Sequence, residues 1–420
     1  MLTLLAYSAF AMTVSLSITR PRIGPRWQIG PAQAATAGVA LLFAARIVHV
    51  SDLLSAAHTL WRPFVTIVSI MITTAAAHRL GLLMRLGEMV FSRSDTSVSR
   101  LFSSVFFLAV LTSSLLNNDA SVLLLTPLVL SLVRRRYPSE PRLYLPFAFA
   151  VFTAVGVAPF VVSNPMNMIV AAHARLNFNE YAARMLPIAV VGWLIAYAIL
   201  RVIFAKELGL TPAMATVSRS GAGLEPAQRL MLALLVLVVG SYPIVASIDG
   251  GAIWMVSATG AVLAVALARI SCRADLVDLL GRGVSWNILV FLLAVFILAI
   301  GLRNVGFVDS LASIYEGASL GVVGATAAAG SAVLNNHPMA IINLLALEAT
   351  PGSGPQEILA VLIGGDLGPR LLPIGSLAGL LWLEACRRQR VDVSLGQFVK
   401  IGFLVTMPTL AASLLFLQLW

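Results

Sequence analysis

Four clusters of polar residues interrupt apolar sequence in this chain, and they are the candidates for chemistry. Asn117-Asn118-Asp119 follows Ser113-Ser114-Leu115-Leu116 and gives way to Val122-Leu123-Leu124-Leu125. Asn335-Asn336-His337-Pro338 stands between apolar runs in the second half. Ser163-Asn164-Pro165-Met166-Asn167 is a third interruption. Asp366-Leu367-Gly368-Pro369-Arg370, with Pro373-Ile374-Gly375-Ser376 after it, is the fourth. A charge at the centre of a lipid-spanning helix costs about 2.5–3.5 kcal/mol, so such residues face protein or water and mark function by default. Where a helix breaks at membrane depth, its freed N–H and C=O groups are tolerated only around a buried cavity. N-terminal ends offer donors and C-terminal ends acceptors, which suits a small oxygen-rich solute or an ion.

On this reading Asn117, Asn118, Ser163, Asn164, Asn167, Asn335, Asn336 and Ser376 are candidate solute contacts through hydrogen bonds. Asp119, Asp366 and His337 are the candidate proton carriers. Each has a plainer reading beside it. Asn118, Ser163 and Ser376 are also good helix caps, and Asp119 could cap a helix that starts at Ala120. Asp366 and Arg370 are four residues apart and could pair. His337 could sit exposed at a hairpin tip. Met166, Met168 and Met339 read as packing, because no His/Cys set accompanies them. Cys272 and Cys386, the two cysteines, are far apart in sequence and make neither a disulfide framework nor a thiolate metal site. No nucleophile–base pair or metal cluster appears, so neither an enzyme nor a cofactor is expected.

The elements that must position these residues are membrane helices. Of 420 residues, 59% are hydrophobic and 11% charged, with a mean hydropathy of +0.93; soluble domains carry about 25% charge. Apolar runs near span length mean an all-α polytopic membrane protein embedded in a lipid bilayer. The runs do not alternate as a barrel's would. A net charge of +10 could suggest nucleic acid, but the basic residues are scattered between spans and read as topology.

Residues 1–18, 30–50 and 60–80 read as spans, the first retained rather than cleaved as a signal peptide. Residues 82–97 read as an amphipathic surface segment. A hairpin at about 99–133, a broken helix at about 143–177 and a span at 184–204 complete a first unit, residues 1–204. A connector at 205–227 is expected on the cytoplasmic side. Residues 228–420 repeat the order: spans at 228–247, 251–269 and 285–302, a short polar piece, a hairpin at about 317–349, a broken helix at about 355–386 and a span at 397–418. Asn117 and Asn335 are 218 residues apart, and Pro159 and Pro369 are 210 apart. Each half then crosses five times, with one re-entrant hairpin and one broken helix, and the odd count inverts the second repeat relative to the first. With the N-terminus outside, 22 basic residues fall on the cytoplasmic side and 5 outside, with Arg370 left in a break. That bias obeys the positive-inside rule and places both termini outside the cytoplasm.

Several segments resemble those of the ArsB-type arsenite/antimonite efflux permeases. They are Asn118-Asp119, Val162-Ser163-Asn164 with Asn167, Gly301-Leu302-Arg303-Asn304 with Gly306, Asn335-Asn336 with Pro338, and above all the run from Asp366-Leu367-Gly368-Pro369-Arg370 through Pro373-Ile374-Gly375-Ser376 to Trp382. The resemblance implies the ion-transporter superfamily fold, a cell inner membrane location, and export of trivalent arsenic or antimony hydroxide in exchange for protons. It also implies a cytosolic ATPase subunit in some systems and, by analogy, a homodimer. The chain departs from the family pattern at Thr153-Ala154-Val155, where an acid is expected, at His337, often apolar, and at Glu384, expected as His. Trivalent arsenic held as a soft ion would want about three thiolates, which two separated cysteines do not provide. The solute is therefore expected as the neutral trihydroxide, with Asp119 as first proton carrier and Asp366 as second. A sodium/proton antiporter or a carboxylate carrier on the same fold is the rival reading.

Overall fold

The computed structural model describes residues 2–19, 21–23, 27–93, 97–116, 118–211, 223–248, 253–272 and 276–419. The first half opens with α1 (Leu2–Thr19), α2 (Pro31–Ala44), α3 (Val50–Arg79) and α4 (Leu82–Arg93). The hairpin α5 (Val98–Leu115)/α6 (Asn118–Arg136), the broken pair α7 (Tyr144–Ala154)/α8 (Pro165–His173), α9 (Phe178–Ile203) and the single turn α10 (Ala205–Leu208) follow. The second half runs α11 (Pro226–Ile248), α12 (Ile253–Cys272), α13 (Leu276–Gly283), α14 (Trp286–Asn304) and α15 (Phe307–Tyr315). It ends with the hairpin α16 (Leu320–Leu334)/α17 (Asn336–Glu348), the broken pair α18 (Pro355–Leu367)/α19 (Leu377–Arg388) and α20 (Leu395–Leu417). A two-residue antiparallel ribbon, Arg22–Ile23 with Trp27–Gln28, joins α1 to α2. Among the described residues, seven helices are long and apolar enough to cross a membrane. The fold is that of an all-α polytopic membrane protein.

The elements expected from sequence are nearly all present, with one correction at the second and third spans. The second span stops at Ala44 and the third begins at Val50, ten residues before its expected start at 60. The cause is local: the Asp52 carboxylate accepts from His49 N at 2.8 Å and starts the helix ahead of its apolar stretch. The amphipathic segment α4 turns Leu82, Leu83 and Phe91 into the protein and packs on α3, α5 and α6. Its polar side carries the Arg85–Glu88 ion pair at 3.1 Å.

The two halves pack on each other in matched pairs. α3 lies on α12 as α14 lies on α2; α6 meets α19 as α17 meets α8; and α9 packs on its counterpart α20. Within the second half, α16 and α18 touch backbone to backbone. A methyl group at Gly364 would overlap the Gly324 carbonyl oxygen, and one at Gly368 the Ala328 carbonyl oxygen. Small residues permit this approach, as in other close membrane-helix crossings.

One aromatic knot ties α19 to the first half. The Trp382 ring stacks on Phe152 at 4.7 Å between centroids and meets Phe149 edge-on at 5.0 Å, and its Nε1 donates to the Ala148 carbonyl at 3.1 Å. Trp382 is fully buried. Trp382→Ala removes that contact area and a hydrogen bond together. We expect it to cost about 3–5 kcal/mol, read as a lowered thermal midpoint of the purified protein in detergent.

Candidate functional site

Each break is made by local sequence. α7 ends at Ala154, and the chain stays non-helical through Val155–Phe160 except for bends, makes one turn at Val161–Ser163, and restarts at Pro165 with Asn164 as N-cap. Pro at the first helical position costs nothing, because its missing N–H would have no partner there. α18 ends at Leu367. Two 3-10 turns, Gly368–Arg370 and Pro373–Gly375, carry the chain to Ser376, whose Oγ accepts from Gly379 N at 3.0 Å and caps α19. The second hairpin turns at Asn335, where the backbone takes φ +80 and ψ 144, outside the helical basins, and so ends α16. The Asn335 Oδ1 accepts from His337 N at 3.3 Å.

The hairpins reach the depth of the breaks. α16 and α17, at 15 and 13 residues, are only about 20–22 Å long against a bilayer core of about 30 Å. The Asn335 amide donates to the Ile374 carbonyl at 3.3 Å, joining the second tip to the second break. α5 and α6, at 18 and 19 residues, are longer. Yet Ser163 Oγ in the first break donates to the Ser114 carbonyl near the first tip at 2.7 Å, so that tip also ends inside the protein.

Asp366 is the node at which the halves meet. Its Oδ2 accepts from Ala158 N and from Asn167 Nδ2, both at 2.9 Å, and its Oδ1 accepts from Asn164 Nδ2 at 2.8 Å. All three donors belong to the first break, 199 to 208 residues away in sequence. The carboxylate thus sits against the first turn of α8, the end that favours negative charge. Asn164 serves twice, since its Oδ1 also accepts from Met166 N at 3.1 Å. Tyr181 on α9 completes the group. Its hydroxyl accepts from Asn167 Nδ2 at 2.7 Å and donates to the Ala158 carbonyl at 3.0 Å.

Asp366 and Arg370, which could pair by their spacing, make no hydrogen bond to each other. The Arg370 Nη2 donates instead to the Thr153 and Val155 carbonyls, at 2.6 and 2.5 Å. The 3-10 turn between the two residues carries the guanidinium away from the carboxylate and onto the C-terminal carbonyls of α7. A cation is well placed at that end of a helix.

Of the residues singled out from sequence, Asn164, Asn167 and Asp366 come together. Ser163 and Asn335 tie breaks to hairpin tips, and Ser376 is a helix cap. Asn118 and Asn336 are buried at the two tips. His337 is buried rather than exposed, at 4%, and meets Phe291 edge-on at 6.0 Å; no hydrogen bond links it to the Asp366 group. Asn117 and the side chain of Asp119 lie outside the described residues. Sequence reasoning missed Tyr181, which reads as an ordinary residue of an apolar span, and the backbone of Ala158.

Seven polar atoms in the tips and breaks are sealed from solvent and have no hydrogen-bond partner among the described residues: Ser121 Oγ, Asn167 Oδ1, Ser331 Oγ, Asn336 Oδ1, His337 Nε2, and Nε and Nη1 of Arg370. Buried polar atoms are nearly always satisfied, so such a set points to a polar guest. Among the described residues no group of three or more His, Cys, Asp or Glu could hold a metal.

The family model described as "ArsB: Arsenical pump membrane protein" matches residues 5–420. The chain belongs to this family. It is 28% identical to an arsenical pump membrane protein of Escherichia coli, with 99% of this chain and 98% of the relative covered. It is 29% identical to the protein of the same description from Yersinia enterocolitica, with the same coverage. Its fold is similar to that of Neisseria gonorrhoeae MtrF, described as illuminating a class of antimetabolite efflux pumps. That match has a TM-score of 0.61 at 13% identity and covers all of this chain and 94% of the other. Membership of the arsenical pump family agrees with the resemblance read at Asp366–Trp382, the segment that builds the Asp366 node and the aromatic knot.

Proposed function

We propose that this member of the arsenical pump family exports arsenite and antimonite across the cell inner membrane, as the neutral trihydroxide and in exchange for protons. Residues 1–204 and 228–420 act as two inverted repeats, with both termini outside. The observation that carries this reading is the Asp366 node. It joins the breaks of both halves through donors alone, and Asn167 Oδ1 within it has no partner among the described residues, while further unpartnered Ser, Asn and His atoms lie at the hairpin tips. Such a lining offers hydroxyl, amide and imidazole partners to a solute that has three hydroxyls and no charge. The nearest fixed cation, Arg370, is engaged with carbonyls through Nη2, while its Nε and Nη1 have no partner among the described residues, so a carboxylate cargo is the second reading.

A neutral solute draws no energy from the membrane potential, so uphill export needs a coupled ion. Asp366 and Asp119 are the carboxyls at the interruptions, and His337 is the third candidate. A cytosolic ATPase subunit and a homodimer belong to the same proposal by family analogy. The matched packing of the halves suits alternation by rocking of the hairpin-bearing part.

Expression in a host stripped of its own arsenite efflux should restore tolerance. Everted vesicles from that host should accumulate arsenite when their interior is acid and lose the gradient on addition of a protonophore. Accumulation driven by sodium alone would overturn the proton coupling. No accumulation under either gradient would overturn the substrate.

A further inference from the structure

A cavity lies behind the tip of the second hairpin. Ser17 in the last turn of α1, Pro31 at the start of α2 and Ile288 in the first turn of α14 line it from one end of the bundle. Leu380, in the first turn of α19, lines it as well, and α19 runs on from there to Arg387 and Arg388. The hairpin enters from the opposite end and presents Asn335 and His337 to the same space. Phe291, Leu334 and Ile374 make the wall mostly apolar, and Thr13 adds a hydroxyl already engaged with the Ala9 and Ala34 carbonyls. His337, one of its lining residues, has its Nε2 buried without a partner among the described residues.

Resting on the transport reading, we propose that this cavity is the vestibule by which the solute reaches the breaks from the basic, cytoplasmic end, and that its wall selects uncharged oxygen-bearing solutes. Three facts converge on it. The cavity touches the second break through Ile374 and the second tip through Asn335, the two groups that the 3.3 Å hydrogen bond joins. It adjoins helix ends on a single side. Among the described residues that line it, one hydrogen-bonding atom is unpartnered and no side chain is charged. A solute that can shed its water and take one bond from imidazole passes. A charged oxyanion leaves its hydration with nothing to replace it, which costs far more than desolvating a hydroxyl. Selection for the neutral form is thereby made ahead of the Asp366 node.

The test uses the full-length protein with Cys272→Ser and Cys386→Ser, carrying Thr13→Cys or Ile288→Cys. Everted and right-side-out vesicles are treated with a membrane-impermeant maleimide. Both introduced thiols should label at least tenfold faster in everted vesicles, and labelling should cut arsenite accumulation at least tenfold. In unlabelled vesicles boric acid, an uncharged trihydroxide, should compete with arsenite, and phosphate at the same concentration should not. Labelling from the outside face, absence of labelling, or labelling without loss of flux would each overturn the vestibule. Equal competition by phosphate would overturn the filter. The labelling pattern needs no arsenite, so it stands or falls separately from the substrate; if arsenite is carried yet the thiols stay unreactive, this inference alone is lost.

Discussion

Asp366→Asn is expected to abolish arsenite accumulation in everted vesicles while the protein still inserts and purifies. The carboxylate receives three N–H donors, from Ala158 N, Asn164 Nδ2 and Asn167 Nδ2. An amide has one acceptor oxygen. If that oxygen takes the two-bond position of Oδ2, the new NH2 group faces Asn164 Nδ2, donor against donor. Asn164 can relieve this by flipping its amide, but its Oδ1 then leaves Met166 N and the first turn of α8 loses its cap. Either outcome costs about 1–3 kcal/mol at a buried site, enough to misplace Asn164 and Asn167 without unfolding a protein of this size. The variant also removes a group able to carry a proton. Asp119→Asn is the informative partner. If proton-driven accumulation survives there, Asp119 is excluded as the coupling carboxyl and Asp366 is left as the carboxyl at the breaks. If Asp366→Asn keeps full activity, the node is a structural brace and the proposed site is wrong.

Gly364→Val is expected to prevent accumulation of the folded protein in the membrane. The α16–α18 crossing leaves no room at this position, because even a methyl group would overlap the Gly324 carbonyl oxygen, with Ala327 Cβ and Ala328 N at 2.9 Å behind it. The obstructing atoms belong to backbone and cannot rotate away. Overpacking a rigid contact costs about 1–3 kcal/mol and occasionally more, and here the two helices would have to separate along their length. Asp366 and Gly368 are on the same helix end, so any separation also moves the node. Membrane yield and a fluorescence size-exclusion profile would read the effect. A monodisperse profile at normal yield would show that α16 and α18 do not touch in the folded protein. Gly396, with open space around its Cα, supplies the control: Gly396→Ala should leave the profile unchanged.

The joint outcome of these two variants bears on mechanism. If the node and the crossing are parts of one rigid body, the hairpin α16/α17, the broken helix α18/α19 and the first break move together. The hydrogen bonds of Asn335 to Ile374, Ser163 to Ser114 and Asp366 to the first break then form a single linked set. A rocking unit needs such internal bonds, because a loose tip would open the pathway to both sides at once.

By itself the sequence determined the membrane class, the order of helices and the places along the chain where they break. Composition and run length decide burial in lipid, and Pro, Asn and Gly at fixed positions stop helices by local rules that need no tertiary context. The interruptions at Asn335, at Pro165 and across Gly368–Ser376 were legible for that reason. The start of α3 was not, because the Asp52 cap outweighs the apolar pattern on which the span was drawn. What only the tertiary structure decided is which polar groups meet. Asp366 and Arg370 are neighbours on one strip of chain and read as a pair, yet a 3-10 turn sends one to the amides of the first break and the other to the carbonyls of α7. Tyr181 joined the site from a helix that sequence marks as plain membrane span. Bonds that close across about 200 residues leave no periodicity behind, because they depend on how two halves cross rather than on what either half contains.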